Sequence, residues 1–182
     1  MKYVLIAIVV LAVLAVLYFV STNNAFVALQ NKIEEAFSTM DVYLVKRAEL
    51  IPNIVATVKG YAKHETETLE KVIAARNSAV TAGDKIAADT ELTKAVRQVF
   101  ALAESYPELK ANTNFLNLQQ QLSSIEEDIA TSRRYYNGVV RQYNTKLQSF
   151  PSSLVASAKG LVRQPMFEVS DDSQRQNVKV EF

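Results

Sequence analysis

Apolar residues are distributed along this chain in two distinct ways. From Tyr3 to Val20 they are continuous, and "YVLIAIVVLAVLAVLYFV" runs 18 residues without a charge, an amide or a glycine. As a helix that run is roughly 27 Å long, about the thickness of a bilayer's hydrocarbon core. A cleaved signal peptide needs small residues before its cut site, whereas this run ends in Tyr18, Phe19 and Val20. The pattern predicts an uncleaved single-pass anchor over residues 1–22.

Beyond the anchor the apolar positions become periodic. Ile33, Phe37, Met40, Leu44, Ile51, Ile54, Val58, Tyr61 and Val72 follow one another at gaps of three and four, one face of a long helix. Pro52 lies inside that pattern and predicts a kink, since it removes a backbone hydrogen bond and crowds the preceding turn. Gly83 and Asp84 mark a turn. A shorter helix follows on Leu92, Val96, Val99, Ala103 and Tyr106, and Pro107 ends it, with Asn112 as the next cap. The third helix keeps its seam from Phe115 to Tyr143, Pro151 stops it, and Gly160 closes a short helix after that. Long amphipathic helices joined by short turns bury their stripes by packing together. The predicted fold is therefore all-α, an N-terminal transmembrane helix followed by an antiparallel bundle over residues 23–160.

Two parts of this pattern imply more than a bundle. A first helix over residues 23–79 is on the order of 85 Å long against roughly 35 Å for the second, which leaves part of its stripe without an intrachain partner. Ile33, Phe37 and Met40, nearest the membrane, are the candidate contacts between copies in a homo-oligomer. The tail, residues 161–182, loses helical period: Phe167 with Val169, and Val178 with Val180 and Phe182, alternate as in a short β segment. Val178, Val180 and Phe182 are candidates to dock on the chain's own bundle or on a neighbour's strand, the plain alternative being a solvated terminus.

Charge and composition narrow the function classes. The 20 basic and 19 acidic residues give a formal charge of +1, so there is no broad footprint for nucleic acid. Cysteine is missing, which removes disulfides, thiolate nucleophiles and Cys-ligated zinc. Lys2 precedes the span and the first basic residue beyond it is Lys32, beside Glu34 and Glu35; the positive-inside tendency then places the domain outside the cytoplasm. The single histidine, His64, is followed by Glu65, Glu67 and Glu70 in "GYAKHETETLEKV". A di-iron bundle needs Glu-x-x-His from each of two helices, and here His64 precedes its glutamates and has no second histidine to match. The stretch reads as a solvated helical surface with a Glu67–Lys71 pair, not as a metal site. No G-x-S-x-G, P-loop or G-x-G-x-x-G occurs, so neither catalytic residues nor cofactors are assigned.

Some polar residues interrupt the stripes. Arg47 and Glu65 either snorkel from the stripe's edge or make a polar contact between helices that fixes register. Tyr136-Asn137 recurs one heptad later as Tyr143-Asn144, either core tyrosines with wet hydroxyls or a binding face.

With these segments placed, the chain resembles the LemA family from end to end. The resemblance rests on "YLVKRAELIPNIVATVKGYAKHETETLEKVIAAR", on "ESYPELKANTNFLNLQQQLSSIEEDIATSRRYYNGVVRQYN", on "SFPSSLVA", and on the closing "MFEV" and "VKVEF". Phe37 departs from the tryptophan common in the family but keeps an aromatic ring. The resemblance implies a bacterial membrane protein with one anchor and a helical bundle. It implies no catalytic residue set and, through relatives linked to shaping magnetosome membranes, a membrane-organising role. The expected function is non-enzymatic: a protein of the bacterial cytoplasmic (inner) membrane that self-associates and organises or remodels the bilayer. A sensor or adaptor that binds a ligand or another membrane protein is the alternative. In either case residues 3–20 remain in the mature protein; after carbonate washing the full chain is expected in the pellet with its original N-terminus. Release into the wash, or a new start after Val20, contradicts the anchor.

Overall fold

The structure, a computed structural model, describes residues 1–81 and 85–167. It contains α1 (Lys2–Lys59), α2 (Thr66–Thr81), α3 (Lys85–Ala103), α4 (Pro107–Lys110), α5 (Thr113–Gln148) and α6 (Ser152–Ala158). The described fold is all-α, a long apolar N-terminal helix followed by a helical bundle. No strand occurs among the described residues, and Phe167 sits in an irregular segment. The proposed docking residues Val178, Val180 and Phe182 lie outside the described residues, as do Gly83 and Asp84.

The chain divides into two compact units. Among the described residues, unit 1 comprises residues 1–38 and 133–166, and unit 2 comprises the remainder. In unit 2, α1 passes Pro52 without interruption, with the proline on its exposed side. The break falls instead at Gly60, so the single helix expected over residues 23–79 is two helices. Glycine costs about 1 kcal/mol in a helix interior, and a Cβ here would meet the Thr57 carbonyl oxygen at 3.3 Å. The N–H groups of Gly60 and Tyr61 donate to the carbonyls of Thr57 and Val58 at 3.2 and 3.0 Å, the tightened bonds of a helix end. Ala62, at 1% exposure, takes the buried place that the stripe had given to Tyr61, which is 38% exposed.

After this turn α2 folds back along α1, its Arg76 Nε donating to the Ala48 carbonyl at 3.3 Å. The α1 stripe at Ile51, Ile54 and Val58 then shares one core with Leu92 and Val99 of α3 and Leu122 of α5. The stripe is thus covered by the chain's own helices, because the break shortens α1 while α5 runs for 36 residues. The part of the stripe at Ile51, Ile54 and Val58 is therefore no argument for self-association. Asn112 caps α5 as expected, its Oδ1 accepting from the Phe115 N–H at 2.9 Å.

Unit 1 is built on α1, the last part of α5, α6 and the segment after it. Phe26 and Tyr143 pack edge to face at 5.8 Å between ring centres, with Ala156 of α6 completing the core. Gly160 closes α6 with φ +63°, and the N–H groups of Gly160 and Leu161 donate to the carbonyls of Ser157 and Ala156. That is the glycine-terminated helix end expected from the sequence, with Leu161 packed on the core beside Ala156. Every residue from Met1 to Val20 is exposed, and burial starts at Thr22, which is 5% exposed.

Candidate functional site

In unit 2 the stretch around His64 is the turn between α1 and α2 rather than a helix face. His64, Glu67 and Glu70 are exposed. Glu67 pairs with Lys71 one turn on at 2.7 Å, and that hydrogen bond and charge hold its carboxyl below the usual range. Glu65 accepts from the Tyr106 hydroxyl at 3.3 Å. Burial first, then the Glu65 charge, pushes the Tyr106 pKa up. The two side chains hold the α1–α2 turn to the segment after α3, and Asn112 Nδ2, donating to the Tyr61 hydroxyl at 2.9 Å, holds it to the start of α5. No group of three His, Asp or Glu side chains lies close enough to share a metal ion among the described residues.

Arg47 is buried at 3% exposure and does not snorkel. Its guanidinium forms an ion pair with Asp89 of α3, itself 2% exposed, and donates to Thr93 Oγ1 at 2.9 Å and to the Asp89 carbonyl at 3.3 Å. Desolvation makes each charge costly alone, so the pair ties α1 to α3 in one register. Asp89 was missed in the sequence. The signal was there: stepping back along the α3 seam from Val99 through Val96 and Leu92 lands on Asp89, an acid on one stripe matching a base on another.

The Tyr/Asn repeat falls in unit 1, where it holds the segment after α6. Asn144, 5% exposed, accepts from the Gln164 N–H through Oδ1 and donates to the Gln164 carbonyl through Nδ2, both at 2.9 Å. A single carboxamide thereby replaces a neighbouring strand. Gln164 precedes Pro165, which biases it towards an extended backbone and leaves its N–H and C=O pointing outward for such a partner. The Tyr136 hydroxyl donates to the Pro165 carbonyl at 3.2 Å, and its ring meets Phe37 at 6.1 Å and 61°. Burial pushes the Tyr136 pKa up. Tyr143 has no exposed surface; burial raises its pKa and the Gln30 side chain pulls the other way. Asn137 is half-buried.

Between α1, α5 and this segment lies a cleft of about 310 Å³, lined by Gln30, Ile33, Glu34, Phe37, Tyr136 and Gln164. Its size is at the lower end for small-molecule sites. The walls are aromatic and aliphatic, with two carboxamides and one carboxylate at the polar positions. Of the proposed contacts between copies, Ile33 and Phe37 are half-buried on this cleft, and Met40 has no exposed surface.

An α1 whose first part is apolar and exposed among the described residues, joined to a bundle with polar clamps between its helices, defines a membrane-associated helical protein. A sequence profile of the LemA family matches residues 36–182, and the chain belongs to that family. It is 25% identical over 157 residues to Protein LemA of Metamycoplasma hominis, covering 84% of this chain and 72% of that protein. It is also 23% identical over 195 residues to Magnetosome protein MamQ 2 of Paramagnetospirillum magneticum, covering 89% and 72%. Magnetosome protein MamQ of Magnetospirillum gryphiswaldense matches at 21% identity over 190 residues, covering 86% and 70%.

The buried pair makes a direct prediction. Replacing Arg47 with Met leaves Asp89 charged in the core, and unfolding of the detergent-solubilised chain is expected to show a loss of roughly 3–5 kcal/mol. The double variant Arg47→Met with Asp89→Leu removes both charges and is expected to regain most of that loss. A single variant as stable as the parent would mean the pair is solvated.

Proposed function

We propose that this chain is a non-enzymatic, single-pass protein of a bacterial cytoplasmic membrane. Its helical domain lies on the extracytoplasmic side and organises or remodels the bilayer through contacts between copies. The observation that carries the reading is the first part of α1, apolar from Tyr3 to Val20 and exposed throughout, in the same helix that enters the unit 1 core at Phe26. Apolar area of that extent is unfavourable in water at about 25 cal/mol per Å², and a bilayer removes the cost. Relatives named as magnetosome proteins support a role in membrane organisation. The exposed apolar residues Val27, Val42 and Val45 of α1, with the half-buried Ile33 and Phe37, support contacts between copies. Glu65, beside the single histidine, is engaged structurally with the Tyr106 hydroxyl, which supports the non-enzymatic reading.

A second reading, a sensor or adaptor that binds a small ligand or another membrane protein, draws on the cleft between Phe37 and Tyr136. Mass measurement of the full chain in mild detergent separates the two. Uniform assemblies of many copies are expected, and Ile33→Ser with Phe37→Ser is expected to shift them towards monomer while far-ultraviolet helicity stays near the parent's. A parent protein that is monomeric at all concentrations contradicts self-association and favours the sensor.

A further inference from the structure

Outside the first 20 residues, the three most exposed large apolar side chains among the described residues are Phe150 at 81%, Val162 at 68% and Leu154 at 63%. All belong to unit 1, and its packing places them at one end. Within it α5 runs antiparallel to α1, since Phe26 meets Tyr143 and Phe37 meets Tyr136. Past Tyr143, α5 continues five residues to Gln148, roughly 7.5 Å, in the direction of Val20. Phe26 itself stands six residues, roughly 9 Å, from Val20. The turn that carries Phe150 is therefore level with the end of the apolar span. Ala156 packs beside Phe26 and Tyr143, which folds α6 back from that turn with Leu154 one half-turn before it. Gln164 is held at Asn144 and Leu161 at Ala156, which keeps Val162, between them, at this same end of unit 1.

Burial begins at Thr22, two residues or roughly 3 Å beyond Val20. A bilayer's headgroup zone is roughly 5–7 Å deep on each side of its hydrocarbon core. There is no room for a water layer between this end of unit 1 and the membrane. The local charge agrees: residues 133–166 carry six basic residues and no Asp or Glu, and Lys32 is the only charge between Val20 and Glu34. Lys159 and Arg163 are exposed, flanking Val162 and the end of α6. Tyr18 and Phe19 of α1, at the same level, fit the aromatic belt of an interface.

We propose that Phe150, Leu154 and Val162 form a second membrane contact, an apolar wedge seated beside the span in the interface of an anionic phospholipid bilayer, with Lys159 and Arg163 on the lipid phosphates. The contact rests on the span being in the bilayer but not on self-association. It makes unit 1 a membrane-surface element as well as a load on an anchor.

The chain has no tryptophan, so single replacements report position cleanly. Full-length Leu11→Trp, Phe150→Trp and Tyr135→Trp proteins are reconstituted in mixed phosphatidylcholine and phosphatidylglycerol vesicles and tested with brominated lipids and aqueous iodide. The indole of Leu11→Trp reports the span and that of Tyr135→Trp, at an exposed position on α5 farther from the span, reports the solvated surface. The indole of Phe150→Trp is expected to be quenched by lipid brominated near its carbonyls, and to be several-fold less accessible to iodide than that of Tyr135→Trp. In phosphatidylcholine alone its protection is expected to drop several-fold. Iodide accessibility equal to that of Tyr135→Trp overturns the wedge while strong lipid quenching of Leu11→Trp keeps the anchor. Protection from both quenchers overturns it in favour of a neighbouring copy. Equal protection in the two vesicle types overturns the role given to lipid charge, and an unquenched Leu11→Trp overturns anchor and wedge together.

Discussion

The first twenty residues of α1 pack against none of the described protein, and the helix that carries them does not stop where they end. That constraint decides how unit 1 is built. A flexible linker would let the domain take any height above the bilayer. A continuous helix fixes it, because each residue past Val20 adds only about 1.5 Å. Thr22 is already covered and Phe26 is the centre of the unit's core, so packing starts almost at the membrane boundary. The residues facing that boundary must then be ones a bilayer interface accepts. Phe150, Leu154 and Val162, in a stretch without acids, satisfy that condition.

Buried polar groups do a different kind of work in this fold. Arg47 and Asp89 occupy apolar seam positions on α1 and α3, where sliding by one turn would leave both charges unpaired. Asn144 holds Gln164 by both backbone groups and so fixes where the chain leaves α6. Hydrophobic contact alone tolerates such shifts, whereas a desolvated polar pair does not. Both pairs specify geometry, and neither leaves a nucleophile or base facing a cavity.

The parts of the fold set by local chemistry were legible in the sequence. The span, the seam of α5, the Asn112 cap and the Gly160 helix end each follow from residue type and spacing within a turn or two. Arg47 stood out because it interrupts a stripe, and the recurring Tyr-Asn pairs because they repeat at a heptad. What could not be read locally depends on distant partners. Continuous seam spacing carried the first helix through Gly60, where the chain instead turns back so that α2 covers α1. Pro52 drew attention away from that glycine, although on an exposed helix side its ring is tolerated. Asp89 has its partner 42 residues away on α1, a pairing that only the packing of α3 against α1 creates. The hold on Gln164 needed knowledge that the segment after Gly160 returns along α5. Overall neutrality also concealed the acid-free stretch, since charge balance over 182 residues says nothing of its placement.

The central claim is that a single helix passes from the bilayer into the core of unit 1 without a hinge. Spin labels placed one at a time from Leu14 to Leu29 in the reconstituted full chain test it most directly, through their accessibility to oxygen and to a water-soluble nickel chelate. The account predicts an unbroken helical period of about 3.6 residues across the whole scan, with the lipid-to-water crossover near Val20 and low accessibility to both reagents at Thr22 and Phe26. Loss of that period between Ser21 and Ala25, with Thr22 freely accessible to the nickel reagent, would contradict it.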